Sequence, residues 1–302
     1  MEDFGVQVTY NVAHEIPLGV LLAIYFYLTG LSAGSFILST LAYGFGIKRF
    51  KPLGKVGVVM ATLLLILAPL TLIADMEQPF RFWYLFLYLN PSSPITWGSF
   101  LLVLYPINCL VYGYFMFKGD EAKTKLFGMI GIPLALSVHG YTGFILALGK
   151  ARALWNTALM PTLFLVSAMV SGIALMILTV IIRDRFFTPE RRIDEELVFS
   201  LGKILAGTIL LDLFLVASDV LVLLTSDAEA REGAMMILTG SFSPYFVGVE
   251  IVLGALIPLA ILFFPATSRR VAAVGVASVL VMLGILAMRY TMVVGGQMIP
   301  LS

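Results

Sequence analysis

Residues 10–46 read YNVAHEIPLGVLLAIYFYLTGLSAGSFILSTLAYGFG. After Glu15 no charged residue occurs until Lys48, and the run from Leu18 to Gly46 is almost wholly apolar. That gap exceeds the roughly 20 residues a helix needs to cross a bilayer core of about 30 Å. A membrane helix therefore starts directly after a cluster of hydrogen-bonding side chains. With residues 11–14 as its lead-in turn, i,i+3 spacing puts the Asn11 amide and the His14 imidazole on one face. Such a pair, at the depth where headgroups meet tails, suits a lipid-soluble ligand with a polar head. A quinone is the obvious candidate.

The remainder of the 302 residues is of the same kind: 60% are hydrophobic and 12% charged, against about 25% charged in soluble domains. The chain reads as an integral membrane protein with the lipid bilayer as its solvent. Long uncharged runs specify helices, because barrel strands alternate over about ten residues. The first seventeen residues carry Glu2, Asp3 and Glu15 and no basic run, so no cleavable signal peptide is expected. A single cysteine, Cys109, excludes internal disulfides and any iron–sulfur cluster held by this chain's own thiolates. Net charge is +1 and there is no basic patch, so no nucleic acid partner is expected.

Breaks at charges and at Pro/Gly clusters divide the chain into eight spans: 18–46, 53–75, 96–117, 126–149, 158–182, 198–225, 245–265 and 271–294. The loops alternate in charge. One set holds Lys48, Arg49, Lys51 and Lys55; then Lys118, Lys123 and Lys125; then Arg183, Arg185, Arg191 and Arg192, with Lys203 just inside span 6; then Arg269 and Arg270. The positive-inside rule makes that face cytoplasmic and both termini extracytoplasmic. The outer connection from Met76 to Ile95 is aromatic (Phe80, Phe82, Trp83, Tyr84) and reads either as an interfacial belt or as a docking surface for an external partner. The charged loop 183–197 reads as solvated. Small residues at packing spacing, Gly30 with Gly34, Ala168 with Gly172 and Gly140 with Gly143, predict close helix crossings.

Ionisable groups at membrane depth flag function by default. Asp75 closes span 2, His139 and Tyr141 lie toward the outer end of span 4, and Asp212 and Asp219 stand one heptad apart in span 6. Glu250 lies in span 7 and Arg289 in span 8. Each has a structural reading. Asp75 would pair with Arg81, His139 would bond between helices, and Asp219, Glu250 and Arg289 would form an ion group joining spans 6 to 8. The functional reading rests on convergence, since His14, Asp75, His139 and Tyr141 share one level and one pocket could hold them. Quinone reduction takes two electrons and two protons, so each carbonyl oxygen needs a re-protonatable donor. Tyrosine and histidine are apt, and a carboxylate can relay to them. Phe26, Leu28, Leu136 and Phe144 would supply apolar walls.

The tail Asn11-Val12-Ala13-His14 and the run Ile24-Tyr25-Phe26-Tyr27-Leu28-Thr29-Gly30-Leu31-Ser32-Ala33-Gly34 belong to a recognisable set. So do Asp75 followed by Pro79-Phe80-Arg81-Phe82-Trp83, and Ser93-Pro94-Ile95-Thr96-Trp97-Gly98-Ser99. Tyr141-Thr142-Gly143 and Leu154-Trp155-Asn156 leading to Pro161 complete it. Together they resemble the NrfD/polysulfide-reductase membrane-subunit family over spans 1 to 5. The resemblance implies a cofactor-free, all-α, eight-helix anchor in the cytoplasmic (inner) membrane. It would be built as two four-helix bundles, residues 18–150 and 158–294, between tails 1–17 and 295–302. It further implies electron exchange between the menaquinone or ubiquinone pool and an extracytoplasmic four-cluster iron–sulfur subunit, itself joined to a molybdopterin-type catalytic subunit. In the polysulfide-reductase member an Asn and a His of the N-terminal turn, with the Tyr of Tyr-Thr-Gly, hold the quinone headgroup. Asn11, His14 and Tyr141 match these positions, and Asp75 matches a nearby acidic one. His139 has no clear counterpart.

Two other readings compete. A dihaem cytochrome b anchor needs four axial histidines and the chain has two. An ion or solute transporter would use Asp212, Asp219, Glu250 and Arg289 as its pathway. In a hybrid, a proton-translocating subunit, these would carry protons from the cytoplasm to the quinone site, where Asp75 and His139 serve as relays, while the structural reading keeps Arg81 and Arg289 as ion-pairing residues.

Overall fold

The computed structural model describes residues 18–187 and 194–298. These form helices joined by turns, with no strand among the described residues. Among the described residues eight helices are long and apolar enough to cross a membrane. They are α1 (Val20–Tyr43), α2 (Lys48–Asp75), α3 (Pro94–Lys118), α4 (Glu121–Ala147), α5 (Met160–Phe187), α6 (Glu195–Thr225), α7 (Pro244–Phe263) and α8 (Val271–Gly295). Each falls on one expected span.

The differences lie at charged ends, where hydropathy stops before backbone hydrogen bonding does. Helix α6 starts at Glu195 because Asp194 caps it, accepting from the Leu197 N–H at 3.1 Å. Asp120 caps α4 in the same way through Lys123 N–H, also at 3.1 Å. Each cap satisfies an orphan donor of the first turn, and acidic residues there suit the helix dipole.

Helix α1 packs against α2, α4, α5 and α8; α3 against α2 and α4; α5 also against α4, α6 and α8; and α7 mainly against α8. Helices α1 and α5 are therefore central, and they cross where the small-residue motifs predict. A Cβ on Gly34 would lie 2.6 Å from the Ala168 carbonyl and 2.7 Å from Gly172 Cα. A second crossing brings Gly254 of α7 onto Gly284 of α8, where an added Cβ on either would collide with the opposite Cα. Of the pair in α4, only Gly143 sits at a close approach, 2.8 Å from the Met160 carbonyl. Gly140 meets Leu165 at an ordinary 3.7 Å.

The bundle has two ends. At one, α1 begins, α2 ends, α3 begins, α4 ends and α8 finishes in a buried turn, Gly295–Gln297. There the Gln297 side chain grips the Leu18 backbone on both sides, accepting from its N–H at 3.0 Å and donating to its carbonyl at 2.9 Å. Arg152 donates to the Gln297 carbonyl at 3.1 Å, and the Trp155 indole donates to the Met292 carbonyl at 2.5 Å. At the other end Arg49 pairs with Glu196 at 3.0 Å and Arg183 reaches the Pro52 carbonyl at 3.1 Å. The loop expected to be solvated here is not wholly so: Asp184 is buried and held by Arg183 through Nε and Nη2, both at 2.7 Å.

Candidate functional site

Asn11 and His14 lie outside the described residues. Leu18, the residue that leads on from their segment, lines a surface depression of about 440 Å³ together with Leu22, Leu72, Asp75, Met76, Glu77 and Gln78. Asp75 is the last residue of α2, and its carboxylate faces the Gly19 backbone: a Cβ on Gly19 would lie 2.8 Å from Oδ1. The depression thus has apolar walls, two carboxylates and an amide at its rim and the Gln297-clamped start of α1 as one side. Arg81 does not pair with Asp75. It is exposed in the single turn Pro79–Arg81, and among the described residues it forms no ion pair.

Tyr141 stands about two turns in from the same end. Its ring covers Gly98 of α3, where an added Cβ would collide with it. Tyr25 of α1 is close enough to interact with it through space. Only a glycine at 98 leaves room for the ring. Tyr141 is not among the residues lining the depression at Asp75. The expected walls divide likewise. Phe26 is buried edge-on against Phe164 at 5.7 Å, whereas Leu136 and Phe144 point outward, 42% and 48% exposed.

His139 does not join this group. It is two residues from Tyr141, so about 200° around the helix, and it is completely buried toward α1, α5 and α8. Its Cε1 lies where a Cβ on Gly30 would come within 2.9 Å. Its Nε2 donates to the Phe164 carbonyl at 2.7 Å, because a carbonyl can only accept. Nδ1 has no partner.

The same carbonyl accepts from Arg289 Nη2 at 3.2 Å, and that nitrogen also donates to Ser167 Oγ at 2.6 Å and stands 3.3 Å from His139 Nε2. The guanidinium lies 3.8 Å over the Phe164 ring, a cation–π contact in a desolvated setting. Arg289 is fully buried, and its Nε and Nη1 have no hydrogen-bond partner among the described residues. Of the expected ion group of Asp219, Glu250 and Arg289, Glu250 interacts with the guanidinium through space, as does Asp212, but no carboxylate makes a direct ion pair with it among the described residues, and Asp219 does not take part. Arg289 ties α8 to α4 and α5 through neutral acceptors. The ion-group reading missed the hydrogen-bond partners of Arg289 because it considered only neighbouring spans. The partners lie more than a hundred residues back, and Ser167 in an apolar run was the one available signal.

The carboxylates of the second half separate. Asp212 and Glu250 line one internal void of about 10 Å³ among α5, α6, α7 and α8, with Val170 and Ile285 opposite. That is about the space one water centre needs. Asp212 Oδ1 and both Glu250 oxygens have no hydrogen-bond partner among the described residues. Glu250 projects from a π-helical stretch, Pro244–Leu256, a winding often found where a side chain must be re-aimed for function. Asp219 is buried elsewhere and interacts with Thr157 in the turn before α5.

A polytopic helical membrane protein with an apolar-walled, carboxylate-rimmed depression at one end and ionisable groups in its interior is the class these features define. Residues 9–301 match the family model described as Polysulphide reductase, NrfD, and the protein belongs to that family. It is 29% identical to the C subunit of selenate reductase from Mesobacillus selenatarsenatis, over 93% of this chain and 74% of that one. It is 28% identical to the Hdr-like menaquinol oxidoreductase integral membrane subunit of Archaeoglobus fulgidus, over 96% and 73%. With protein NrfD of Escherichia coli it shares 26% identity over 92% of this chain and 94% of the relative. The protein is thus a multi-pass membrane subunit of a kind found in oxidoreductase complexes.

Proposed function

We propose that this chain is the quinone-reactive anchor of a respiratory oxidoreductase, passing electrons between the membrane quinone pool and an extracytoplasmic iron–sulfur subunit, and through it a molybdopterin-type catalytic subunit. One observation carries the reading: the apolar depression with Asp75 on its rim opens where the segment bearing Asn11 and His14 joins α1. His14 and Tyr141 hold the two quinone oxygens, Asn11 orients one, and Asp75 exchanges protons with the outer aqueous phase. Each turnover moves two electrons and two protons, and a tyrosine and a histidine are groups that can hold and return them. The relative named a menaquinol oxidoreductase subunit favours menaquinol as the form used. The two four-helix groups, 18–150 and 158–294, are read as separate bundles. The basic loops put both termini and the quinone site on the extracytoplasmic face of the inner membrane.

Tyr141→Phe keeps the ring that Gly98 accommodates and removes only the hydroxyl. Quinone-linked turnover of the complex should fall at least about 100-fold, in the range of losing a general acid–base group. Artificial-dye activity of the catalytic subunit should remain. Retention of both activities would refute the assignment.

A second reading is favoured by the void between Asp212 and Glu250. Unpartnered carboxylates around a water-sized space suit proton passage from the second half toward the site, and turnover would then move charge.

A further inference from the structure

We propose that the cleft between α6 and α7, at the end of the bundle opposite Asp75, is a binding site for an anionic phospholipid. The cleft encloses about 860 Å³. Its mouth is charged, formed by Arg49, Glu196, Lys203 and Arg269, and its floor is apolar, with Ala206, Gly207 and Leu262.

The charges at the mouth do not cancel. Arg49 is taken up by Glu196, through the carboxylate at 3.0 Å and the backbone carbonyl at 3.1 Å. Lys203 and Arg269 are exposed and have no ion-pair or hydrogen-bond partner among the described residues. Lys203 stands two turns inside α6, and the helix then continues without another charge until Asp212. A cation that far along a membrane helix is costly unless an anion meets it or it snorkels to the interface.

The floor has room for an acyl tail. A Cβ on Gly207 would meet nothing within 4 Å, and one on Gly202 would be 3.5 Å from the Leu262 side chain. Helix α6 touches α7 sparingly, chiefly near the last turns of α7. This leaves a slot, apolar along its length and cationic at its mouth, and basic pockets of this form between membrane helices recognise phosphate headgroups. A free anion would need only the mouth and a neutral lipid only the slot. A phospholipid with a net negative head uses both.

The test is native mass spectrometry of the full chain in detergent, with phosphatidylglycerol, phosphatidylcholine or inorganic phosphate added. Two variants separate the two halves of the site: Lys203→Gln with Arg269→Gln removes the charge, and Gly207→Phe fills the slot with charge unchanged. Phosphatidylglycerol should stay bound, each variant should weaken it at least tenfold, and phosphate should not displace it. Lys118→Gln with Lys123→Gln, which lowers basic charge at the same end away from the cleft, should have little effect. Equal retention of phosphatidylcholine would mean an unselective lipid belt, and displacement by phosphate would mean an ion site; either overturns the proposal. So does unchanged phosphatidylglycerol binding in Gly207→Phe, which decides alone should the charge variant not fold.

Discussion

Asp184 and the pair Asp212 with Glu250 are all buried carboxylates, but they are treated oppositely. Asp184 closes the end of α5, takes two hydrogen bonds from Arg183 and accepts weakly from the Asp194 N–H at 3.4 Å, while Arg183 reaches across to α2. Asp212 and Glu250 stand inside the spans, around a void, with three of their four oxygens unpartnered. Burial of a polar group is tolerable when it is hydrogen-bonded and expensive when it is not. The first arrangement is therefore architecture, and the second needs a reason beyond stability.

The largest stability effect should come from breaking the paired case. Asp184→Ala removes the buried carboxylate that takes Arg183 Nε and Nη2, and loss of one partner from a buried pair costs about 3–5 kcal/mol. Arg183 is 23% exposed, so water recovers part of this and about 2–3 kcal/mol is expected. Thermal unfolding in detergent measures it, and an unchanged midpoint would place Asp184 with the solvated loop the sequence suggested.

Gln297 is the next step down. It is a buried amide with each polar atom used, two of its contacts holding Leu18 and a third reaching the Val293 carbonyl at 2.7 Å. Gln297→Leu strands the Leu18 N–H and carbonyl, for about 1–2 kcal/mol in all. Because Leu18 lines the depression at Asp75, the same change should raise the KM for quinol about three- to tenfold with dye activity unchanged. Destabilisation without a change in KM would make Gln297 a fastener only.

What the sequence disclosed follows dimension. Span number and place are properties of a line: an uncharged run is either long enough to cross a bilayer or it is not, and all eight were legible. The Gly34–Gly172 crossing was legible because each helix carried its own small-residue spacing. Rotation of helices against one another is not written along the line. His139 and Tyr141 read as one pocket because they are neighbours in depth, though their angular separation was already a reason to part them. Ser167 as the partner of Arg289 and the Gln297 grip on Leu18 join distant segments through single polar residues with no local pattern. Asn11 and His14 were read from their spacing and from the resemblance, and they lie outside the described residues.

The smallest effect on stability belongs to the unpartnered carboxylates, and there the contrast is sharpest. Asp212→Asn keeps the volume of the side chain and removes an ionisable group that has no hydrogen bond at Oδ1 to lose. Asp212 does interact through space with the buried Arg289, so relief of desolvation is offset by lost attraction and the unfolding midpoint should stay within about 1 kcal/mol of the parent. Glu250→Gln should behave alike, and because the two line one void the double variant should be non-additive. If these carboxylates carry protons, Asp212→Asn in proteoliposomes should abolish proton uptake from the inner face while quinone-linked electron transfer continues. Uptake that persists alongside unchanged stability would remove the proton path and leave the void without a function. A drop of several kcal/mol would instead show that Asp212 is tied down as Asp184 is, and the distinction between the two kinds of carboxylate would collapse.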